Sequence, residues 1–451
     1  MKNLRLLALG AIACGMLSCE GVVDDLNTNP NAFTEVPATL TFNHVVLNTA
    51  AIAEAEPARV AGMWADQFAG TDRQYINQDG YSVDDSTFDE PWADLFQQGL
   101  TQAQIAQRDA LAADNEILAN YALGMQGYYA AEAALMFGDV PYTQVNDPDA
   151  LDPMFESQRS VLMAAIDLLQ TAANGPGAGQ SVTTLNQVFS STSTWGQFFN
   201  ALTARYRLAM QDYDGALAAA QAAGFDDPSN SVDIIHTTTN FSENLFFQFE
   251  AEQRTDYLSF GTVGTEQSTL FSILSDTTSR SRAEEGTDDA ARLALFTNST
   301  ARGLYNLNVG TGGFFAPDMN FPVIGYPEIQ LIIAETATRT GDNDTAIEAL
   351  NNARNFWDGL TGTDSYDDLD GDDFDDDDDL LESILVEKFV SVFGLPTWYD
   401  ILRTNNLIGA DMDSRDTPAQ RFIYPATETA SNSNAPDVSP TLDDATEIFS
   451  N

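Results

Sequence analysis

The residue types that most often carry metal or covalent chemistry are nearly absent from this chain. Only two of its 451 residues are Cys, and both lie within the first nineteen positions. The two His, His44 and His236, are far apart in sequence and no His-Glu-x-x-His zinc motif occurs. A Gly-x-Ser-x-Gly nucleophile elbow and a Gly-x-x-x-x-Gly-Lys phosphate loop are also missing. We therefore expect a protein without cofactor, metal centre, disulfide in its folded body, or catalytic activity.

Positive charge is scarce as well. The chain carries 19 Lys and Arg residues against 68 Asp and Glu residues. Without Lys2 and Arg5, which precede the expected cleavage site, 17 basic residues remain and the net charge is −51. Such a charge repels nucleic acid, so no nucleic-acid partner is expected. A cationic partner and adaptation to a salty medium both remain open, and the even scatter of the acidic residues favours the second.

The start of the chain has the pattern of a bacterial secretory signal. Two basic residues are followed by a short apolar run and then by a small residue before Cys19. That run is too short to span a bilayer as a helix. The Met-Leu-Ser-Cys sequence ending at Cys19 resembles a lipobox, which predicts a signal peptide over 1–18 and lipidation of Cys19. Residues 19–37 then form a polar tether. An ordinary signal peptide with an incidental Cys is the alternative.

Most of the chain beyond residue 37 has the apolar spacing of amphipathic helices. Apolar residues recur three and four positions apart, as at Tyr121, Met125 and Tyr128. The segments with this pattern are 38–68, 92–137, 154–174, 195–223, 326–357 and 380–393. In two of them a polar turn leads into an Ala-rich helix, at 213–217 and at 342–347. The expected fold class is mostly α, with tetratricopeptide-like helical hairpins forming a single body over 38–451.

Three segments lack a helical pattern. Residues 69–91 show no sustained period and are predicted to form a long loop. Residues 228–325 are rich in Ser, Thr, Asn, Phe and Gly and predict an irregular, ligand-facing insertion with short strands and helices near 266–275 and 288–297. The tail from residue 409 onward is also predicted to be loop-like.

An acidic tract fills residues 364–379, where 11 of 16 residues are Asp. With Gly371 at the sixth position of a calcium-binding EF-hand loop, Tyr366 would stand at the first position, where Asp belongs, and Asp377 at the twelfth, where Glu belongs. The match is partial, and crowded like charges repel one another. The tract therefore favours a mobile, solvated acidic insertion over a defined metal site.

Aromatic, amide and guanidinium side chains cluster in and beside the two irregular segments. Rings can cover the C–H face of a sugar while polar groups bond its hydroxyls. Loops also carry function more often than buried elements do. The candidate ligand-binding residues are Arg73, Tyr75, Asn77, Tyr81 and Trp92 in the first segment, and Tyr305 and Phe314 in the second. The alternative is that these rings hold long loops to the body.

Five motifs in the chain resemble, in order, those of the SusD/RagB-like lipoproteins of Bacteroidetes-type bacteria. They lie at 137–142 (Phe-Gly-Asp-Val-Pro-Tyr), 195–205 (Trp to Arg), 326–342 (Tyr-Pro-Glu to Gly-Asp), 384–404 (Ile to Arg-Thr) and 421–432 (Arg-Phe-Ile-Tyr-Pro to Asn). Phe199 stands where the family usually has Ala, and Leu402 stands where Arg is common. The acidic tract is also absent from the usual pattern.

This resemblance implies a nutrient-binding lipoprotein of the outer-membrane surface that delivers a glycan or peptide to a SusC-type, TonB-dependent transporter. It implies that the motif residues are structural: Gly138 and Pro141 would shape a turn, and Arg205 and Glu335 would pair inside the helical body. A protein-binding surface scaffold and a glycoside hydrolase are the competing interpretations.

Overall fold

The computed structural model of the protein describes residues 36–275, 287–412, 415, 417–436 and 439–450. The predicted signal peptide, Cys19 and most of the predicted tether lie outside the described residues. Within the described ranges, no helix combines the length and apolarity needed to cross a membrane.

Helices dominate the described chain. Numbered in chain order, they are α1 (Ala38–Leu47), α2 (Thr49–Ala53), α3 (Glu56–Trp64), α4 (Arg73–Asp79), α5 (Asp89–Ala93), α6 (Thr101–Ala112), α7 (Glu116–Phe137), α8 (Gln158–Ala173), α9 (Trp195–Ala209), α10 (Tyr213–Ala223), α11 (Leu245–Phe247), α12 (Thr269–Leu274), α13 (Ala290–Phe296), α14 (Tyr326–Thr340), α15 (Asn343–Thr361), α16 (Asp377–Ser391), α17 (Leu395–Arg403) and α18 (Ala426–Ser431). Short π-helical or 3-10 turns lie at Asp94–Leu100, Pro228–Asn230, Gln248–Gln253, Ala301–Gly303 and Gly371–Asp373.

In the described parts of the chain, strands are short and form three small antiparallel sheets. They are β1 (Ala69–Gly70), β2 (Val140–Pro141), β3 (Phe155–Glu156), β4 (Phe189–Ser190), β5 (Val232–Ile234), β6 (Leu258–Thr262), β7 (Thr297–Ser299), β8 (Leu304–Leu307) and β9 (Phe321–Ile324). The sheet orders are β1-β6-β8-β7, β4-β5-β9 and β2-β3. The mostly α fold class is therefore confirmed, with the strands concentrated in the predicted irregular region.

The long helices form a stack in which each helix packs against the next. α6 packs on α7, α7 on α8, α8 on α9 and α9 on α10. α10 then packs on α14, which pairs with α15 and α16. Nearly all residues of α7 are buried, because apolar side chains surround this helix instead of covering one face. The body thus consists of stacked helical hairpins, as the tetratricopeptide-like pattern predicted.

The two hairpins marked by the internal repeat share one capping device. Asp212 accepts a hydrogen bond from the backbone N of Gly215 at 3.1 Å, which caps α10. Asp342 accepts one from the backbone N of Thr345 at 3.3 Å, which caps α15. The Ala four positions after each Asp is fully buried, so the paired helices approach closely.

The ion pairs inside the body differ from the one that was expected. Arg205 donates from Nε and Nη2 to the two carboxylate oxygens of Glu328, each at 2.6 Å. Arg403 donates to both oxygens of Glu335 at 2.5 Å. The predicted pairing of Arg205 with Glu335 is therefore wrong. Glu328 and Glu335 lie two turns apart on α14, roughly 10 Å along its axis, and Arg205 reaches only the first.

The turn after α7 is closed by residues from the end of the chain. Gly138 has a φ of +81°, a conformation that favours glycine. Arg421 donates to the carbonyl O of Phe137, and the hydroxyl of Tyr424 donates to the carbonyl O of Asp139 at 2.5 Å. Two of the five sequence motifs therefore meet at one backbone turn and have a structural role there.

Residues 69–91 are not the long loop that was predicted. They contain β1, α4 and the start of α5, and α4 buries Tyr75 and Gln78 on one face. The prediction failed because a short helix whose buried positions are occupied by Tyr and Gln leaves no apolar period in the sequence.

The acidic tract lies against α15. Asn351 on α15 exchanges two hydrogen bonds with the backbone of Leu369, at 2.8 and 2.9 Å. Asp376 accepts hydrogen bonds from the backbone N atoms of Asp378 and Asp379, which caps α16. The last three Asp of the tract form the first turn of α16, where the helix dipole stabilises negative charge.

Candidate functional site

The four-stranded sheet joins the two segments in which ligand-binding residues were predicted. β1 pairs with β6, and β6 pairs with β8, so that Ser259 lies opposite both Ala69 and Asn306. Just beyond β1, the backbone N of Thr71 donates to the carbonyl O of Tyr257 at 2.9 Å. The start of β6 and the residue just before it, Tyr257, are thereby held beside the start of α4.

A group of polar side chains surrounds this junction and is called the polar face below. Its members are Arg73, Arg254, Asp256, Tyr257, Arg302 and Asn306. Arg73 donates from Nη1 to the hydroxyl of Tyr257 at 3.3 Å. The guanidinium carbons of Arg73 and Arg254 lie 6.0 and 5.9 Å from the centre of the Tyr257 ring. Arg73, Arg254 and Arg302 are exposed, so their donors are available to a ligand.

Asp256 organises the other half of the polar face. Its carboxylate pairs with Arg302 and accepts a hydrogen bond from Nδ2 of Asn306 at 3.2 Å. Its carbonyl O accepts a hydrogen bond from the hydroxyl of Thr71 at 2.8 Å. The carboxylate thus orients one guanidinium and one amide toward the same surface.

Three members of the polar face have left-handed backbones. The φ angles of Arg73, Asp256 and Arg302 are +47°, +66° and +57°. Each such conformation costs a non-glycine residue about 1 kcal/mol or more, and the surrounding structure must hold it in place. Backbone strain of this kind concentrates at binding sites, which marks the polar face as the candidate functional site.

Buried groups support the polar face from below. The hydroxyl of Tyr75 accepts a hydrogen bond from Nε of Arg59 at 2.8 Å, and its ring stacks on Phe249 with 5.1 Å between centroids. Burial raises the pKa of Tyr75 to about 12 and that of Glu250 to about 8. Glu250 accepts a hydrogen bond from the backbone N of Leu258 at 2.9 Å, which fixes the start of β6.

Two of the predicted ligand-binding residues belong to the core. Tyr75 is 1% exposed, and Trp92 is 8% exposed. The Trp92 ring meets Phe137 edge-on at 4.9 Å and Tyr424 at 6.0 Å. These rings hold their segments to the body, as the alternative interpretation stated, and neither offers a free face to a ligand.

The other predicted residues lie in separate places. Asn77 is exposed on α4, one turn after Arg73. Tyr81 is half-buried: it stacks on Trp64 at 5.9 Å and carries the Arg415 guanidinium 4.7 Å from its ring centre. Of the three predicted residues on α4, only Arg73 and Asn77 are therefore exposed beside the polar face, since Tyr75 is buried.

Tyr305 and Phe314 lie away from the polar face. Successive side chains of a strand point to opposite sides, so Tyr305 points away from the side of the sheet that Asn306 faces. Its half-buried ring lies 4.1 Å from that of Phe271. Phe314 is 7% exposed and lines an interior cavity on another side of the molecule.

Sequence reasoning missed several residues of this region. Arg254, Asp256 and Arg302 were not among the candidates, although aromatic residues flank them in the sequence at Phe249, Tyr257 and Tyr305. The scarcity of Arg in this acidic chain is the signal that could have found Arg254 and Arg302. Phe241 was missed as well. Its ring is 92% exposed and its φ is +69°, so an apolar side chain is held in solvent by a strained backbone.

Comparison with known proteins agrees with this architecture. The family model described as SusD-like, "Starch-binding associating with outer membrane", matches residues 30–276, more than half of the chain. No curated protein sequence matches the chain.

Solved structures of the same family share the fold. A SusD homologue from Bacteroides fragilis superposes with a TM-score of 0.67 at 16% identity, over 92% of this chain and 99% of that one. A SusD/RagB family protein from Bacteroides thetaiotaomicron gives 0.63 at 17% identity, over 89% and 95%. A chitin-binding SusD homologue from Flavobacterium johnsoniae gives 0.61 at 14% identity, over 88% and 94%. The order of the five motifs, the stacked helical hairpins and the family match lead to one conclusion: this chain belongs to the SusD-like family.

Proposed function

We propose that this protein is a non-catalytic, lipid-anchored binding protein of the outer-membrane surface. It captures an oligo- or polysaccharide and delivers it to a TonB-dependent transporter of the SusC type. The family is described as starch-binding and outer-membrane-associated, and one structural relative is a chitin-binding protein. The observation that carries the proposal is the polar face, where exposed guanidinium groups converge on one surface of a strongly acidic chain.

The chemistry of the polar face suits a polyhydroxylated ligand. Guanidinium and amide groups donate hydrogen bonds, and sugar hydroxyls accept them. The hydroxyl of Tyr257 and the carboxylate of Asp256 contact the guanidinium groups of Arg73 and Arg302 and orient them before a ligand arrives. Such preorganisation reduces the entropy lost on binding. Asn77, one turn along α4, extends the same row of donors.

Removal of one guanidinium tests the polar face. Binding of soluble starch and of chitin oligosaccharides is measured by calorimetry for the wild type and for Arg73→Ala. A hydrogen bond to a charged group contributes about 1.5–3 kcal/mol, so affinity is expected to fall at least tenfold for the glycan that binds.

Arg108→Ala is the matched control for this experiment. Arg108 is also an exposed Arg beside an Asp, with side-chain exposure of 67% against 71% for Arg73, but it lies on α6 away from the polar face. Its replacement should leave glycan affinity unchanged. Unchanged affinity in both Arg73→Ala and Arg302→Ala would show that the glycan binds elsewhere.

The same samples separate a binding protein from a glycoside hydrolase. The wild type is incubated with each glycan that it binds, and reducing ends are measured over time. We expect binding without new reducing ends. Steady release of reducing ends that scales with protein concentration would identify the protein as an enzyme instead.

The anchor and the transporter are tested in cells. Cys19→Ser should move the protein from the membrane to the soluble fraction without changing its melting temperature, because Cys19 precedes the packed body. Co-expression with a SusC-type barrel should allow the wild type to be co-purified with that barrel. A Cys19→Ser protein that stays with membranes at high salt would contradict lipid anchoring.

A further inference from the structure

A cavity of about 370 Å³ lies between the three-stranded sheet and the helical body, away from the polar face. Its walls come from α2, β5, β9 and the segment before it, α15, and the segment that joins α16 to α17, and residues of α7, α9 and α14 also line it. Among its lining residues, Pro228, Asp318 and Leu360 are exposed and mark the opening. A volume of this size is within the range of small-molecule sites.

Aromatic rings form much of the apolar wall. Phe314 meets Phe321 at 5.9 Å and Trp357 at 6.1 Å between ring centroids. All three line the cavity, and each is nearly inaccessible to bulk solvent. Such rings give the cavity a large apolar surface against which the hydrocarbon part of a ligand can pack.

The charged groups of the lining are mostly acidic. They comprise four carboxyl groups, those of Glu132, Asp233, Asp318 and Glu328, and one guanidinium, that of Arg205. Arg205 is bound to both oxygens of Glu328 and lies 3.7 Å from Glu132. Its charge is therefore already balanced, and the lining as a whole carries an excess of negative charge.

Asp233 occupies an unusual place for a carboxylate. It lies on β5, the central strand of its sheet, and its side chain faces the cavity while those of Val232 and Ile234 are buried on the opposite side. Over the described parts of the chain, no hydrogen bond or ion pair reaches the carboxylate of Asp233 or that of Asp318. Burial raises the pKa of Asp233 to about 7.

An unpaired carboxylate in such a place destabilises the ligand-free protein, since desolvation of a charge is costly without a partner. Nothing in the packing of β5 requires an acid at position 233, because Asn or Thr would fill a similar volume without the charge. A group that costs stability and faces a cavity is typical of a binding site.

We propose that this cavity binds a small organic cation, with its ammonium group against Asp233 and its apolar body against the rings of Phe314, Phe321 and Trp357. An ammonium group donates three hydrogen bonds, and the unpaired carboxylate of Asp233 can accept from it. A bare divalent metal ion fits less well, because it needs six or more oxygen ligands at short range and much of this wall is aromatic. The site is independent of the polar face and does not rest on glycan binding.

Calorimetry with two matched probes tests the proposal. Cyclohexylmethylammonium chloride carries the charge, and cyclohexanemethanol has the same ring without it. At pH 8, where most Asp233 is ionised, the wild type should bind the ammonium probe at least tenfold more tightly than the alcohol. In Asp233→Asn this preference should fall to twofold or less.

Asp149→Asn is the control for general electrostatic attraction. It removes one negative charge from an exposed loop that does not line the cavity, so the tenfold preference should persist. Circular dichroism checks that Asp233→Asn is folded, and the near-isosteric change should raise its melting temperature at pH 8. Equal affinity for the two probes, no detectable binding of the ammonium probe, or a preference retained in Asp233→Asn would overturn the proposal.

Discussion

Two nitrogen atoms of the Arg403 guanidinium lie 2.5 Å from the two carboxylate oxygens of Glu335, and neither side chain is exposed. Arg403 is the last residue of α17, and Glu335 lies in the second half of α14, so the pair joins two distant parts of the chain. Arg339 pairs with Glu335, Asp400 pairs with Arg403, and Lys388 pairs with Asp400, which makes a five-residue network. Both partners are buried, and for this reason the loss of either leaves the other charge uncompensated.

Glu335→Gln or Arg403→Ala should destabilise the protein by about 3–5 kcal/mol. Urea denaturation gives the free energy of unfolding of each variant. The exposed pair of Arg108 and Asp109 is the control, and Arg108→Ala should change stability by less than about 1 kcal/mol. An equally small change in the free energy of unfolding for Arg403→Ala would contradict the prediction, because it would show that loss of the buried pair is compensated.

Gly138→Ala should destabilise the protein by about 1–3 kcal/mol. The φ of +81° is unfavourable for Ala, and the added Cβ would lie 3.1 Å from Thr446 and 3.2 Å from Arg421. Gly359 provides the contrast, because it lies inside α15 with no atom within 4 Å of an added Cβ. Gly359→Ala should stabilise the protein by about 0.5–1 kcal/mol through helix propensity. Thermal unfolding checks both variants: the melting temperature should fall for Gly138→Ala and rise for Gly359→Ala.

Stability should fall as pH rises from about 5 to about 8, in part because of Glu250. Burial raises the pKa of this carboxyl group to about 8 in the folded protein, so the folded state binds a proton that the unfolded state has released. Stability is therefore lost as pH rises through this window. Glu250→Gln keeps an acceptor for the backbone N of Leu258 and should remove on the order of 2–4 kcal/mol of this loss.

Glu252→Gln is the control for the Glu250 experiment. It removes the same charge from an exposed position two residues away, and its effect should stay below about 0.5 kcal/mol at each pH. The free energy of unfolding is compared at pH 6 and pH 9. A Glu250→Gln variant that loses stability with pH as steeply as the wild type would contradict the prediction.

His236 should contribute to the same pH dependence. Burial opposes its charged form, but the hydrogen bond and the negative charge of Glu54, 2.9 Å away, outweigh burial and raise the pKa of His236. A raised folded pKa contributes stability that is complete below the unfolded value and is lost as pH rises through the folded value. His236→Gln should therefore cost more stability at pH 5.5 than at pH 9, as measured by urea denaturation.

Phe241→Ala should weaken glycan binding about tenfold without loss of stability. The exposed ring lies in the irregular region and can stack on the C–H face of a sugar, and burial of part of a Phe side chain contributes about 1–2 kcal/mol. Leu151, which is 90% exposed, gives the matched loss of an exposed apolar side chain. Leu151→Ala should leave affinity unchanged. If Phe241→Ala binds as the wild type does, the ring has another role, such as contact with the transporter.

Salt should stabilise this protein. The mature chain would carry a net charge of −51, and a compact state suffers more from self-repulsion than an extended one. The screening length falls from about 8 Å at ~0.15 M salt to about 3 Å at ~1 M. We expect the melting temperature to rise between these conditions in NaCl. A flat or falling melting temperature would indicate that bound cations already neutralise the acidic surface.

The helical body and its order of elements could be predicted from the sequence because the signals are local. Apolar spacing over a few turns indicates a helix. Asp212 and Asp342 each lie immediately before the helix that they cap, where Asp is a favoured residue. The motif at 137–142 likewise predicted a turn, and Gly138 adopts the left-handed backbone conformation there. Each of these features depends on residues that are close together in the chain.

Only the tertiary structure decided which side chains are buried, paired or exposed. Arg205 could have paired with either Glu328 or Glu335, and two helical turns on α14 separate the choices. Tyr75 and Trp92 are of residue types that often contact ligands, yet both are buried against rings from distant segments. Contacts of this kind form between elements far apart in sequence, so their geometry depends on how the helices and sheets pack and not on any local pattern.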